Sequence, residues 1–258
     1  MVSVRERGAD DQAAGLRRMF RQRPNQVIAF ASGQKSCGLT SLVVQTAVAL
    51  AEAGQRVLLV DENAGPGRAL SSLGVTPPGD LWDSLVGRIP LERVIVSVMA
   101  NLWAVSAAGT AERLHQDAPE VRGKLDLLMT PMKGGSDFVL IDSHLSARGG
   151  LSLLSSTAPH MVVVVGAETA SITDSYSLIK RLAAERGRDG FQVVVTRPQS
   201  EEMAHTVFDN LKRTAGKHLG VRLDLLAVIR IPTAEHVAEA LSTKLPLVQA
   251  PFRPGIRG

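Results

Sequence analysis

Apolar positions along the chain are gathered into short blocks separated by stretches with helical periodicity. Several blocks, among them "VLLV", "FVLI" and "MVVVV", are apolar throughout, a pattern typical of strands buried on both faces of a parallel sheet. The blocks predict strands at Val27–Ala31, Arg56–Val60, Leu102–Val105, Phe138–Ile141, Met161–Val165, Gln192–Val195 and Leu225–Ile229. The periodic stretches predict helices at 40–53, 80–88, 110–129, 173–186, 201–217 and 234–242.

This alternation predicts an α/β fold, in which a doubly wound, mostly parallel sheet carries helices on both faces. We assign residues 26–258 to this one domain. Residues 1–25 differ, because they are polar and charged, and "DDQAAGLRRMF" predicts a short amphipathic helix ahead of Pro24. We therefore treat residues 1–25 as a separate amino-terminal segment.

Composition narrows the class of protein further. Hydrophobic residues make up 45% of the 258 residues and aromatic residues only 3%, so the predicted core is large and aliphatic. The net charge of +4 is spread over scattered basic residues, which favours solvated helix faces over a nucleic-acid patch. A single cysteine excludes an internal disulfide and suits a reducing cytoplasm. No apolar run is long enough to span a membrane, so we expect a cytoplasmic protein.

The segment "SGQKSCGLTS" (32–41) stands between the first predicted strand and a predicted helix, as a phosphate-binding loop does. Gly33 and Gly38 have the spacing that lets backbone N–H groups turn towards an anion at the helix N-terminus. Thr40 has the hydroxyl position that holds Mg²⁺ in such loops. The nucleotide-binding candidates in the loop are Gly33, Gln34, Lys35, Ser36, Cys37, Gly38, Leu39, Thr40 and Ser41.

One position of this loop is anomalous. Leu39 stands where a lysine normally reaches the β- and γ-phosphates. A leucine side chain supplies neither charge nor hydrogen bond. Lys35 lies in the middle of the loop, and we do not expect it to substitute.

Two acids follow predicted strands on the same side of the sheet. Ligands of open parallel sheets bind beyond the carboxyl ends of the strands. Asp61 follows the second strand. It is the catalytic candidate, because an acid at this place can orient a water or contact the metal. The alternative is that Asp61 caps an exposed turn. Asp142 ends the strand "FVLI" and is the candidate, with Thr40, for holding Mg²⁺ through water.

Four segments resemble the MinD/ParA group of P-loop ATPases. "QKSCGLTS" (34–41) falls without a gap on the group's loop, K-G-G-x-G-K-T-[ST]. "VALAEAGQRVLLVDEN" (48–63), "FVLIDSHLS" (138–146) and "VVVGAETASITDSYSLIKRL" (163–182) are similar to its second strand, its switch II strand and the strand and helix that follow. The resemblance implies a P-loop NTPase fold, ATP or ADP with Mg²⁺ as the ligand, and adenine-side positions at Thr196, Arg197 and Pro232.

The chain departs from this group at both lysines of the loop. The lysine that in the group reaches across an ATP-bound dimer is Gln34 here, and the second lysine is Leu39. Loss of one such contact to a transferring phosphoryl group typically costs about 10²–10³-fold in rate. We therefore expect weak or absent ATP hydrolysis, weak or lost binding of ATP and ADP with Mg²⁺, and no homodimer formed on ATP.

Within the group, two segments resemble FlhG-type regulators of flagellar number and placement. They are "DQAAGLRRM" (11–19) and the stretch from 200 to 229. In FlhG-type proteins the amino-terminal motif stimulates the signal-recognition-particle-like GTPase FlhF. The resemblance implies that FlhF-type GTPase as partner, with a flagellar C-ring protein or a transcription activator as further options, and recruitment to the cell pole or flagellar base. The implied partner-binding residues are Asp11, Gln12, Leu16, Arg17 and Phe20.

Two alternatives from other classes stay open. A ParA-like partition protein would bind DNA through basic residues on outer helices, although the scattered charge leads us to expect no DNA binding. An accessory MinD-like protein of a cellulose or secretion operon would share the body and lack the amino-terminal motif. The basic residues of the first alternative are Lys180, Arg181, Arg186 and Arg188.

Overall fold

A single eight-stranded sheet organises the molecule. The computed structural model describes residues 26–34, 37–65, 67–113, 123, 135–146, 149–230 and 235–244. Its strands are β1 (Gln26–Ala31), β2 (Val57–Asp61), β3 (Val96–Met99), β4 (Leu102–Ser106), β5 (Phe138–Asp142), β6 (His160–Gly166), β7 (Gly190–Thr196) and β8 (Arg222–Ile229). They lie in the order β3-β4-β2-β5-β1-β6-β7-β8. Every neighbouring pair is parallel except β3 with β4.

Helices cover both faces of this sheet. They are α1 (Leu39–Glu52), α2 (Ala69–Ser72), α3 (Leu81–Leu85), α4 (Leu91–Val94), α5 (Ala108–Arg113), α6 (Leu153–Ser156), α7 (Thr169–Arg186), α8 (Glu201–Leu219) and α9 (Glu235–Lys244). Alternate residues of β1 point into two separate hydrophobic clusters, Ala29 into one and Phe30 into the other. The first cluster includes side chains of α7 and α8, and the second includes side chains of α1 and α9. The doubly wound α/β fold is therefore confirmed.

The seven predicted strands are confirmed, with ends that differ by at most a few residues. The sequence pattern did not reveal β3, because this four-residue edge strand is only half buried and pairs in antiparallel fashion. The helix predicted at 80–88 is shorter, Leu81–Leu85, and the side chain of Asp80 caps its N-terminus. Of the helix predicted at 110–129, the structure describes α5, and most of the remainder lies outside the described residues.

The parallel arrangement brings the carboxyl ends of β1, β2, β5, β6 and β7 to the same edge of the sheet. Asp61 at the end of β2 lies beside Asp142 at the end of β5. Asp142 in turn lies beside Phe30 of β1. The loop that follows β1 and the two acids predicted from the sequence therefore meet at one edge.

Candidate nucleotide-binding site

Close packing explains Gly33, and a left-handed backbone explains Gly38, in the loop after β1. Gly33 lies so near α7 that an added Cβ would be 2.4 Å from the carbonyl carbon and oxygen of Asp174. Gly38 is the N-cap residue of α1 and has a left-handed backbone, with φ of 82°, which favours glycine. The Thr196 hydroxyl, at the end of β7, donates to the Cys37 carbonyl oxygen at 3.1 Å. These contacts hold the described part of the loop against β7 and α7; Lys35 and Ser36 lie outside the described residues.

The two residues that replace lysines pack against their own chain. Leu39 begins α1, and its half-buried side chain packs against the hydrophobic cluster that contains Phe30. The Gln34 side-chain oxygen is 3.5 Å from the position that a Cβ on Gly166 would take, at the end of β6. Neither residue offers a cation to a phosphate group.

Asp142 is a buried carboxylate whose oxygens lack a hydrogen-bond donor among the described residues. Burial and, to a smaller extent, the charge of Asp61 raise its pKa to about 7, while the Thr40 hydroxyl acts in the opposite direction. A buried, unpartnered carboxylate is costly, and a cation beside Thr40 would supply the missing interaction. Asp142 and Thr40 therefore fit the Mg²⁺ that the loop implies, together with oxygens from water and phosphate.

Asp61 already uses both of its carboxylate oxygens. One accepts the backbone N–H of Asn63 at 3.0 Å, and the other accepts the N–H of Leu70, in α2, at 3.0 Å. Burial raises the pKa of Asp61, and these backbone hydrogen bonds lower it. Asp61 thus ties α2 to the end of β2. Its role towards a catalytic water stays a prediction.

A cavity lies between the first half of α1 and the ends of β7 and β8. Thr196 and Arg197, two of the positions predicted on the adenine side, lie in its wall; Pro232, the third, lies outside the described residues. The backbone N–H of Arg197 donates to the Ile229 carbonyl oxygen at 2.8 Å. The cavity is lined by Cys37, Gly38, Ser41, Leu42, Gln45, Thr196, Arg197, Ile229 and Arg230. Three of the predicted loop residues thus share it with two of the predicted adenine-side residues.

Comparisons with known proteins agree with this geometry. No model of a known protein family matches the chain. Antiactivator FleN of Pseudomonas aeruginosa is 28% identical over 235 residues, which cover 91% of this chain and 83% of FleN. The MinD cell division protein of Aquifex aeolicus superposes with a TM-score of 0.65 at 21% identity, over 87% of this chain and 100% of that one. The chain is thus similar over most of its length to FleN, and it shares the fold of MinD.

A second MinD structure carries a nucleotide. The septum site-determining protein MinD of Pyrococcus horikoshii, in complex with Mg-ADP, superposes with a TM-score of 0.55 at 24% identity, over 84% of this chain and 86% of that one. The likeness of this chain to it shows a shared fold.

A buried carboxylate that sequence reasoning missed lies next to Asp61 and Asp142. Glu62 is fully buried, and its carboxylate accepts hydrogen bonds from the Ser152 hydroxyl, from the Ser155 hydroxyl at 2.8 Å and from the His144 backbone N–H at 3.1 Å. Burial raises the pKa of Glu62 to about 7, while the two serine hydroxyls lower it. The turn after β2 looked exposed from its polar sequence, and no local pattern connects Glu62 with serines some 90 residues away.

Several predicted residues cannot be placed. The partner-binding candidates Asp11, Gln12, Leu16, Arg17 and Phe20 lie outside the described residues.

No helix in the described ranges is long and apolar enough to cross a bilayer. The same ranges hold no group of three or more His, Cys, Asp or Glu side chains arranged to bind a metal, so a cation at Asp142 would depend on Thr40 and on non-protein oxygens.

The basic residues considered for DNA binding occupy different environments. Lys180 is exposed on α7. Arg181 is half buried, and its guanidinium lies over Gly149. Arg188 donates to the carbonyl oxygens of Ala158 at 2.5 Å and Pro159 at 3.1 Å, and burial lowers its pKa. Lys180, Arg181 and Arg188 therefore do not present one uniform basic face.

Proposed function

We propose that the chain is a MinD-like regulator of flagellar number and placement, of the FlhG type. The observation that carries this proposal is the similarity to Antiactivator FleN, a flagellar number regulator, over 91% of the chain. The amino-terminal "DQAAGLRRM" supports it, because this motif accompanies the MinD-like body in FlhG-type proteins. We propose accordingly that residues 1–25 act on an FlhF-type GTPase and that residues 26–258 form the MinD/ParA body.

The proposed action of the segment follows from its residue types. Gln12 has the amide that orders an attacking water in other GTPase systems. Leu16 and Phe20 fall on one side of the predicted helix and would anchor it in an apolar groove. Asp11 and Arg17 would fix the register of the contact.

We propose further that the ATP site is degenerate. Leu39 packs into a hydrophobic cluster and Gln34 against Gly166, so neither offers the charge that stabilises a transferring phosphoryl group. Gly33, Gly38, Thr40 and Asp142 retain the backbone cradle and the cation position. This combination supports weak binding of ATP or ADP with Mg²⁺, and little or no hydrolysis.

The proposal is tested with the full chain and its cognate FlhF-type GTPase. We expect the wild-type chain, and a peptide of residues 1–23, to raise the GTP turnover of the partner. Gln12→Ala should abolish this stimulation, whereas Gln22→Ala, outside the motif in the same segment, should preserve it. Equal stimulation by Gln12→Ala would refute the role of Gln12, and no stimulation by any form would refute the GTPase as partner.

Other partners follow from the same relationship. The name Antiactivator supports a transcription activator as an additional partner, and a flagellar C-ring protein and a polar or basal location belong to the same proposal. The ParA-like alternative gains no support, because Arg181 and Arg188 are engaged with their own chain. Gene neighbourhood separates the flagellar proposal from the accessory secretion alternative.

A further inference from the structure

We propose that Glu62 locks the loop after β5 in one conformation, whether or not a nucleotide is bound. This loop holds the switch II position of the family. We call the five residues concerned the Glu62 clamp: Glu62, Ser143, His144, Ser152 and Ser155. The proposal rests on the proposed function, since a fixed loop suits a chain that lacks both phosphate-reading lysines.

The clamp joins both ends of the loop to one carboxylate. The His144 N–H, just after β5, donates to one Glu62 oxygen at 3.1 Å, and the Ser155 hydroxyl, in α6, shares that oxygen at 2.8 Å. The Ser152 hydroxyl, which also caps α6, donates to the other oxygen. Ser143 and Ser155 are joined through their hydroxyls at 2.7 Å. Glu62 itself follows β2, so the loop is attached to a neighbouring strand.

Bonds within the loop close it between these two ends. Leu145 and Leu151 form an isolated antiparallel bridge. The Ser146 N–H donates to the Gly150 carbonyl oxygen at 3.0 Å, and the Gly149 N–H donates to the Ser146 carbonyl oxygen at 2.7 Å. The described residues of the loop, 143–146 and 149–151, are therefore joined to one another by backbone hydrogen bonds.

Helix α7 covers the same loop from outside. Gly149 has φ of 76°, and an added Cβ there would lie 2.2 Å from an Arg181 guanidinium nitrogen. Arg181 thus packs directly on the loop backbone. Displacement of the loop would require this contact to change together with the clamp.

The chemistry of a buried carboxylate makes the clamp cooperative. A buried polar group that loses its hydrogen-bond partners incurs the full cost of its desolvation. Glu62 is fully buried. If the loop moved away, the Glu62 carboxyl group would stay buried without hydrogen-bond partners, which is energetically unfavourable. The bonds from His144, Ser152 and Ser155 are therefore kept together or lost together.

A consequence follows for nucleotide signalling. Switch loops of NTPases change conformation because phosphate and Mg²⁺ contacts order them. A ligand shifts a loop only by its differential affinity for the two conformations. In this chain the Glu62 clamp has already selected one conformation, so the surface of the loop is presented constantly.

Hydrogen exchange of the full chain tests the clamp directly. We expect Glu62→Ala, and separately the double variant Ser152→Ala with Ser155→Ala, to speed amide exchange at residues 143–146 and 149–158 by roughly tenfold or more. Exchange in β6 should not change. Glu52→Ala, which removes an exposed carboxylate at the end of α1, is the matched control and should leave the loop as in the wild type. If Glu62→Ala does not fold, the serine variants decide alone.

Nucleotide dependence is measured in a chain that carries Gln34→Lys and Leu39→Lys, with binding of ATP·Mg²⁺ followed by calorimetry. We expect nucleotide to leave loop exchange unchanged there, and to change it once Glu62→Ala is added. Wild-type rates of exchange in the clamp variants, or a nucleotide response with Glu62 in place, would overturn the clamp. GTPase stimulation is scored separately: its loss with an intact clamp counts against the proposed function alone.

Discussion

The guanidinium of Arg197 lies against Gly38 at the start of α1, with one nitrogen 3.4 Å from the position that a Cβ on Gly38 would take. Arg197 and Asn101 are the non-glycine residues with positive φ in the described ranges, and φ of Arg197 is 54°. Such backbone conformations persist where the surrounding structure fixes them, often at ligand sites. The chain thus holds a cation in the wall of the cavity beside α1, although Gln34 and Leu39 replace both lysines expected in the loop.

Arg197→Ala should weaken nucleotide binding. We expect the wild type to bind ADP·Mg²⁺ weakly and the variant roughly tenfold more weakly, since a guanidinium donor in the wall of the cavity is lost. Calorimetric titration measures both affinities. Arg213→Ala, an exposed arginine on α8, is the control. Equal affinities for wild type and Arg197→Ala would show that Arg197 does not contact the nucleotide.

Restoring the lysines should have two opposite effects. Leu39→Lys with Gln34→Lys should raise ATP affinity and turnover, because charge returns to the phosphate positions. It should also lower the free energy of unfolding by about 1–2 kcal/mol, because the Leu39 side chain leaves an apolar contact. Leu73→Lys, a half-buried leucine packed against the same cluster, should show the loss of stability without the gain in binding. Unchanged ATP affinity in the double variant would contradict the degenerate-site proposal.

The oligomeric state should not respond to ATP. Gln34 stands where the family has the lysine that reaches the partner's phosphates, and it packs beside Gly166 of its own chain. Size-exclusion chromatography with light scattering should therefore give a monomer with and without ATP·Mg²⁺. A dimer that forms only with ATP would overturn this expectation.

Continuous apolar runs made most of the sheet predictable. Strands such as β6 are buried along their whole length, so their sequence carries no competing polar signal. The edge strand β3 alternates between half-buried and exposed residues, and four such residues do not distinguish a strand from a loop. Gly33 and Gly38 were singled out for their spacing, and the structure places them at a close helix contact and at a left-handed N-cap, both of which favour glycine.

Long-range side-chain contacts were beyond prediction from a single sequence. Asp142 was foreseen because it ends an apolar strand. Glu62 was not, because its partners Ser152 and Ser155 are distant in sequence and carry no pattern of their own. Similarly, nothing in the local sequence of Asp80 indicates that its carboxylate accepts hydrogen bonds from both the backbone and the hydroxyl of Thr110.

Asp142 makes the stability of the chain depend on pH. Burial raises its pKa from the ordinary value of 3.8 to about 7. Between these two values the folded chain holds a proton that the unfolded chain has released. Because the folded state binds more protons in this window, its stability falls as pH rises from about 4 to about 7 and then levels off.

Asp142→Asn should remove this part of the pH dependence. We expect the free energy of unfolding of the variant, relative to wild type, to rise between pH 5 and pH 8 by about 1 kcal/mol or more. Urea unfolding at several pH values measures the difference, and any fixed cost of burying the amide cancels in the comparison. Asp209→Asn, an exposed aspartate on α8, should show no such trend. A residual slope should remain in Asp142→Asn, because the pKa of Glu62 is also raised to about 7. The same stability difference between Asp142→Asn and wild type at every pH would show that Asp142 is already ionised in the folded chain.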